Sequence, residues 1–150
     1  MKGRILALVA VIAIATTTAF AKELVNTDAS GVALQGYDPV GFFTDGKPLV
    51  GNPAITARYA GATYRFATPE HKAAFEREPT KYAPVFGGYC AYGVAKGGLA
   101  PVEISTWQIV DGRLVLNKNA SIRKAFDKDI AGNTRDAEAN WPKLMEENGR

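Results

Sequence analysis

The chain contains one histidine, His71, and one cysteine, Cys90. Imidazole and thiolate are the ligands that copper and zinc favour. With Met145 or a carboxylate added, the pair predicts a loosely held transition metal such as copper or zinc. A structural zinc site needs four protein ligands and a catalytic one three, and no CxxC or HxxH spacing is present. The alternative is therefore an exposed helix histidine and a buried cysteine that packs as a small hydrophobe.

The same two residues define a second hypothesis, in which the protein is a thiol-dependent enzyme or redox protein that uses Cys90. Thiol catalysis needs a base within hydrogen-bonding reach of the sulfur. The two residues are 19 positions apart, and this spacing does not place His71 there. The sequence therefore assigns no catalytic residue.

The segment around Cys90 is rich in glycine and carries Tyr89 and Tyr92. We expect a packed loop, because glycine weakens helices and strands. The two tyrosines either line a pocket or fill the core, as aromatic residues beside such loops usually do. Asp38, which precedes a proline, is the third candidate for this pocket, although its residue type and position favour an Asx turn. The GxxxxG outline from Gly88 lacks the Lys-Ser/Thr of a phosphate loop, so nucleotide binding is rejected.

Two hairpins and the helices that follow them must position these residues. Alternating residues around 60–62 and around Asp111-Gly112 predict the hairpins. Thr68 and Asn119 are the expected N-caps of the next helices. Pro142 is expected either to end the regular part of a last helix that starts near Asn133 or to start a last turn. These elements predict an α+β fold with a small antiparallel sheet from two β-hairpins and helices packed on one side.

The two hairpin-helix units resemble each other. A shift of 51 residues places Gly61 on Gly112 and 74–78 on 125–129 without a gap. The same shift places the apolar Phe66 on the polar Asn117, so the two units do not have the same pattern of apolar residues on this strand face. A ββα unit used twice and two unrelated units that look alike therefore remain equal interpretations.

The first 21 residues have the features of a secretory signal peptide. Lys2 and Arg4 precede an apolar run of about 11 residues, which is shorter than a membrane span, and Ala19-Phe20-Ala21 is an A-x-A cleavage signal. We expect cleavage after Ala21, a periplasmic or secreted protein without a membrane span, and a single domain over 22–150. Without Lys2 and Arg4, 16 basic side chains face 15 acidic ones, so no nucleic-acid partner is expected. The single cysteine cannot form an internal disulfide.

Several motifs together resemble the YHS domain and the longer exported YHS-domain proteins of bacteria. The resemblance covers roughly 32–145 and implies a small module associated with heavy metals. The motifs are Asp38-Pro39-Val40, 59–66, 71–75, 78–82, 89–93, 100–102, Trp107, 110–114, 116–117 and 139–142.

Metal-type YHS modules carry cysteines where this chain has Gly41, Ala67 and Glu70 or His71, so only His71 stands near a metal-ligand position. The resemblance implies a periplasmic, non-enzymatic accessory or binding protein for a transition metal, with a metal ion or another periplasmic protein as partner. Two alternatives stay open: a thiol-dependent enzyme or redox protein, and a protein-interaction module with no ligand.

Overall fold

The structure, a computed structural model, describes residues 21–150. The predicted signal peptide therefore lies outside the described residues, except for Ala21. Within 21–150, no helix is both long enough and apolar enough to cross a bilayer. The helices and strands, numbered in chain order, are α1 Gly41–Thr44, β1 Asn52–Tyr59, β2 Ala62–Phe66, α2 Pro69–Arg77, α3 Pro79–Tyr82, α4 Ala91–Ala95, β3 Gln108–Val110, β4 Arg113–Val115, α5 Ala120–Asp127 and α6 Ile130–Asn148.

The α+β class is confirmed, and both predicted hairpins are present. β1 pairs antiparallel with β2, and β3 with β4, but the hairpins form two separate two-stranded sheets. Each turn places two residues in the left-handed region, with φ of 51° and 76° at Ala60 and Gly61 and 49° and 74° at Asp111 and Gly112. A left-handed pair is what tight hairpin turns require, because it matches the twist of the strands.

The predicted N-caps are also confirmed. The Thr68 hydroxyl accepts a hydrogen bond from the His71 amide at 3.1 Å, and Asn119 Oδ1 accepts one from the Ile122 amide at 2.9 Å. Each cap satisfies an amide that the first helical turn leaves without a partner. The two caps therefore place His71 and Ile122 at the third position of their helices.

Two expectations about the later elements are wrong. The segment around Cys90 is not only a loop, because it contains a 3₁₀ turn over Val85–Gly88 and the helix α4. The last helix, α6, does not begin near Asn133 or end at Pro142 but runs from Ile130 to Asn148. Proline removes one backbone hydrogen bond, and the burial of Ala137 and Leu144 on either side stabilises the continuous helix.

The structure shows that the unit is repeated over more than the hairpins. A turn with three consecutive left-handed residues opens each copy, with φ of 52°, 54° and 81° over 34–36 and 53°, 58° and 78° over 86–88. A short helix follows, α1 in one copy and α4 in the other. The offset is 52 residues in this part and 51 from the hairpin onward.

The copies also end alike. α3 follows α2 after Glu78, and α6 follows α5 after Asp129, with φ and ψ of −139° and 61° at Glu78 and −152° and 74° at Asp129. Phe66 and Asn117 are both completely buried, so the strand faces agree after all. The described chain therefore contains two tandem copies, 32–82 (the first half) and 84–133 (the second half), and α6 extends beyond the second.

Candidate functional site

Asp38 lies in the core of the first half and is completely buried. Its Oδ1 accepts hydrogen bonds from the amides of Val40 at 2.8 Å and Gly41 at 3.3 Å, and its Oδ2 accepts one from Ala67 at 2.8 Å. The bond to Val40 is the predicted Asx turn. Three amide donors stabilise the ionised carboxylate, which offsets the cost of removing it from water.

His71 is the fourth partner of this carboxylate. Its Nδ1 lies 2.6 Å from Asp38 Oδ2, and its side chain is 16% exposed. An ionised carboxylate can only accept, so Nδ1 carries the hydrogen. In the neutral ring, Nε2 is then the atom with the free lone pair.

Two exposed residues at the end of α1 surround Nε2. Thr44 Oγ1 and Asp45 Oδ2 each lie 3.3 Å from it, and these two oxygens are 2.8 Å apart. Sequence reasoning missed both residues. The only usable signal is that they follow the Asx turn at Asp38 by one helical turn, which does not point toward a histidine 27 positions away.

Cys90 lies in the second half and is 1% exposed. Its Sγ accepts hydrogen bonds from the amides of Gly93 at 3.4 Å and Lys118 at 3.3 Å, and lies 3.6 Å from Asn117 Oδ1. The sulfur therefore caps α4. This explains why a polar atom stands at a buried position.

Cys90 and Asp38 occupy equivalent positions in the two copies. The Asp38 amide donates to the Leu49 carbonyl, and the Cys90 amide to the Ala100 carbonyl. Each side chain then accepts the amide three residues ahead, at Gly41 or Gly93, and the amide of the second residue before a helix, at Ala67 or Lys118. The fold therefore requires a hydrogen-bond acceptor at this position in both halves.

The copies differ at the next position. The residue equivalent to His71 is Ile122, which is half-buried and packs against the core. An apolar side chain is therefore compatible with this unit, and the unit as such does not require an imidazole. His71 with its surrounding polar atoms is a feature of the first half alone.

His71 and Cys90, predicted as joint metal ligands, have separate surroundings. Their polar contacts within 21–150 share no residue and include no bond between the two side chains. A metal site shared by His71 and Cys90 stays a prediction, and no polar contact between their surroundings supports it. The structure does bring Asp38, one of the three pocket candidates, to His71.

The two tyrosines lie elsewhere. Tyr89 lines a cleft of about 380 Å³ between the 23–27 segment, the first hairpin turn and the end of α6. Tyr92 packs against both hydrophobic clusters of the core, and the Lys96 ammonium lies 4.9 Å from its ring centre. Neither contacts His71 through a hydrogen bond.

Considering only histidine, cysteine, aspartate and glutamate, the described residues include no group of three or more that could hold a metal ion. The nitrogen and oxygen donors around His71 suit Zn²⁺ or Cu²⁺ better than Cu⁺, which prefers sulfur.

Comparison with known proteins does not identify the chain. No protein-family model matches it. No curated protein and no solved structure matches it either. The fold and the site themselves define a two-copy α+β protein with one carboxylate-oriented histidine.

Proposed function

We propose that this protein is an exported, non-enzymatic accessory protein that binds a transition-metal ion through His71. The observation that carries the proposal is the 2.6 Å contact between His71 Nδ1 and the buried Asp38 carboxylate. Histidines that bind metals usually donate their other ring hydrogen to a carboxylate or carbonyl, which fixes the ring and makes the ligating nitrogen more basic. Asp38 holds the His71 ring in this way and leaves Nε2 as the ligating nitrogen.

The difference between the two copies supports a functional role for His71. The second half has Cys90 at the acceptor position and Ile122 at the histidine position. The first half combines the acceptor with an imidazole that stays partly exposed. A residue that the repeated fold does not need is better explained by binding than by stability.

The ion binds in the first half, and Cys90 has a structural role. A thiol that is 1% exposed and already accepts two amide hydrogen bonds is a poor ligand for an ion from solution. The nitrogen and oxygen donors at His71 favour Cu²⁺ or Zn²⁺ as the bound ion. Export, inferred from residues 1–21, places the protein in a periplasm or outside the cell.

The test is calorimetric titration of the mature protein, residues 22–150, with Zn²⁺ and Cu²⁺. We expect one ion per chain for the wild type and for Cys90→Ser, and at least a hundredfold weaker binding for His71→Ala. Since His71 is the only histidine, no other imidazole can replace it. If His71→Ala binds the ions as tightly as the wild type, the proposal is wrong. If binding is lost only in Cys90→Ser, the metal ligand is the Cys90 thiol.

Metal analysis of protein exported in its native form and purified without a nickel column provides an independent measurement. We expect copper or zinc in the wild type and a strongly reduced content in His71→Ala. If the purified wild type contains no metal and binds neither ion in the titration, the better-supported function is a protein-interaction module with no ligand.

A further inference from the structure

Three donor atoms from two elements converge beside α1. His71 Nε2, Asp45 Oδ2 and Thr44 Oγ1 form a triangle with sides of 3.3, 3.3 and 2.8 Å. His71 comes from α2, and the two oxygens come from the end of α1. We infer that these atoms are a facial tripod for a divalent ion of the Zn²⁺ or Cu²⁺ class, which deepens the proposed function and rests on it.

The separation of the atoms suits such an ion. Two ligands about 2.1 Å from a tetrahedral ion are about 3.4 Å apart, close to the 3.3 Å from Nε2 to each oxygen, whereas the two oxygens are nearer to each other at 2.8 Å. A point about 2.1 Å from all three atoms of the triangle lies about 1 Å outside its plane. The three distances are therefore compatible with normal bond lengths to a single ion.

The Thr44 hydroxyl links the other two donor atoms of the triangle. Its Oγ1 lies 3.3 Å from His71 Nε2 and 2.8 Å from Asp45 Oδ2, and also 3.2 Å from the Val40 carbonyl. The hydroxyl can donate its one hydrogen to the Val40 carbonyl and keep its lone pairs for an ion.

The composition of the tripod sets the class of ion. One imidazole, one carboxylate and one neutral hydroxyl suit borderline divalent ions, whereas Cu⁺ prefers thiolate or thioether. Thr44 and Asp45 are exposed, so water or a ligand from a partner can complete the coordination. The three atoms therefore leave open coordination positions on the ion.

Isosteric variants test the tripod. Asp45→Asn keeps the shape of the side chain but removes its charge, and Thr44→Val keeps the shape but removes the hydroxyl. We expect a Kd for Zn²⁺ at least tenfold higher in Asp45→Asn and several-fold higher in Thr44→Val. Asp136→Asn, an exposed substitution on α6, is the matched control and should bind like the wild type.

Spectroscopy adds a second measurement. Cu²⁺ bound to the wild type should show hyperfine coupling to one imidazole nitrogen in its electron paramagnetic resonance spectrum, and Asp45→Asn should change the copper parameters. Unfolding in urea checks that each variant is folded, which we expect because Thr44 and Asp45 are at the surface.

The outcomes separate the tripod from the proposed function. If His71→Ala abolishes binding while Asp45→Asn and Thr44→Val bind like the wild type, the tripod is wrong and metal binding at His71 stands. If the wild type binds neither ion, both proposals fail. If Cu⁺ binds tightly and Zn²⁺ and Cu²⁺ do not, the assignment of the ion class is overturned.

Discussion

Cys90 takes in the second half of the molecule the position that Asp38 takes in the first. Both side chains accept the amide three residues ahead and an amide just after the hairpin. Only the carboxylate has a histidine beside it. His71 and Cys90, the two candidate metal ligands of the sequence, thus belong to different copies and to positions that are not equivalent.

Replacement of Cys90 should affect stability through its role as a cap. Cys90→Ala leaves the amides of Gly93 and Lys118 without an acceptor, and we expect a loss of about 1–2 kcal/mol in the free energy of unfolding. Cys90→Ser keeps an acceptor and should lose less. Urea unfolding of both variants measures this, and an equal loss in the two would contradict the capping role.

The Cys90 thiol should react slowly in the folded protein. Its sulfur is buried, and thiol reagents must reach it from solvent. We expect alkylation near neutral pH to become fast only at urea concentrations that unfold the chain. Rapid alkylation in native buffer would instead favour the enzyme or redox hypothesis.

Asp38→Asn should destabilise the protein, whichever way the amide is oriented. The carboxylate accepts from Val40, Gly41, Ala67 and His71, and an amide offers only one oxygen, so at least one buried donor loses its partner. We expect a loss of about 1–3 kcal/mol and metal binding about 10–100-fold weaker.

Asp28→Asn is the matched control for this variant. Asp28 is exposed and accepts through Oδ1 alone, from the amides of Ser30 and Val32. The substitution keeps that oxygen, so stability should change little. Equal losses in the two variants would show that the buried hydrogen bonds of Asp38 contribute no more to the free energy of unfolding than the exposed ones of Asp28.

The neutral ring of His71 should be the Nδ1–H tautomer. The 2.6 Å contact with Asp38 requires a hydrogen on Nδ1, and His71 gives the only imidazole signals of the chain. Nitrogen-15 NMR of the metal-free protein above the titration of the ring distinguishes the tautomers. A dominant Nε2–H form would remove the ligand atom on which both proposals depend.

Alkaline pH should destabilise the fold through Tyr64. Burial raises the pKa of this phenol above its usual range, with smaller contributions from Tyr59 and Glu23. The unfolded phenol loses its proton near pH 10, while the folded one keeps it, so the stabilising contribution is complete below about pH 10 and falls as the pH rises further. Urea unfolding from pH 8 to 11 measures the slope.

Tyr64→Phe removes this titrating group, so its free energy of unfolding should fall less steeply above pH 10. Tyr37→Phe, at a half-buried tyrosine, is the matched control. An unchanged slope in Tyr64→Phe would assign the alkaline loss to other groups.

Local signals in the sequence were sufficient for the two hairpins and for the starts of α2 and α5. The Asp111-Gly112 turn, the caps at Thr68 and Asn119 and the 51-residue shift each depend on residues a few positions apart, where backbone preferences act directly. The α+β class followed from them. The repeat itself stayed undecided, because burial of Asn117 in place of Phe66 depends on a polar network that residue type does not reveal.

Only the tertiary structure decided the candidate site. Asp38 and His71 are 33 positions apart and meet because α2 packs beside the turn that leads into α1, whereas His71 and Cys90 are 19 positions apart and share no polar contact. Distance along the chain says little about such pairs, since long-range contacts depend on how whole elements pack. The sequence by itself determined which chemical groups were available, and the packing of the elements within each copy decided that the imidazole faces carboxylates and that the thiol caps a helix.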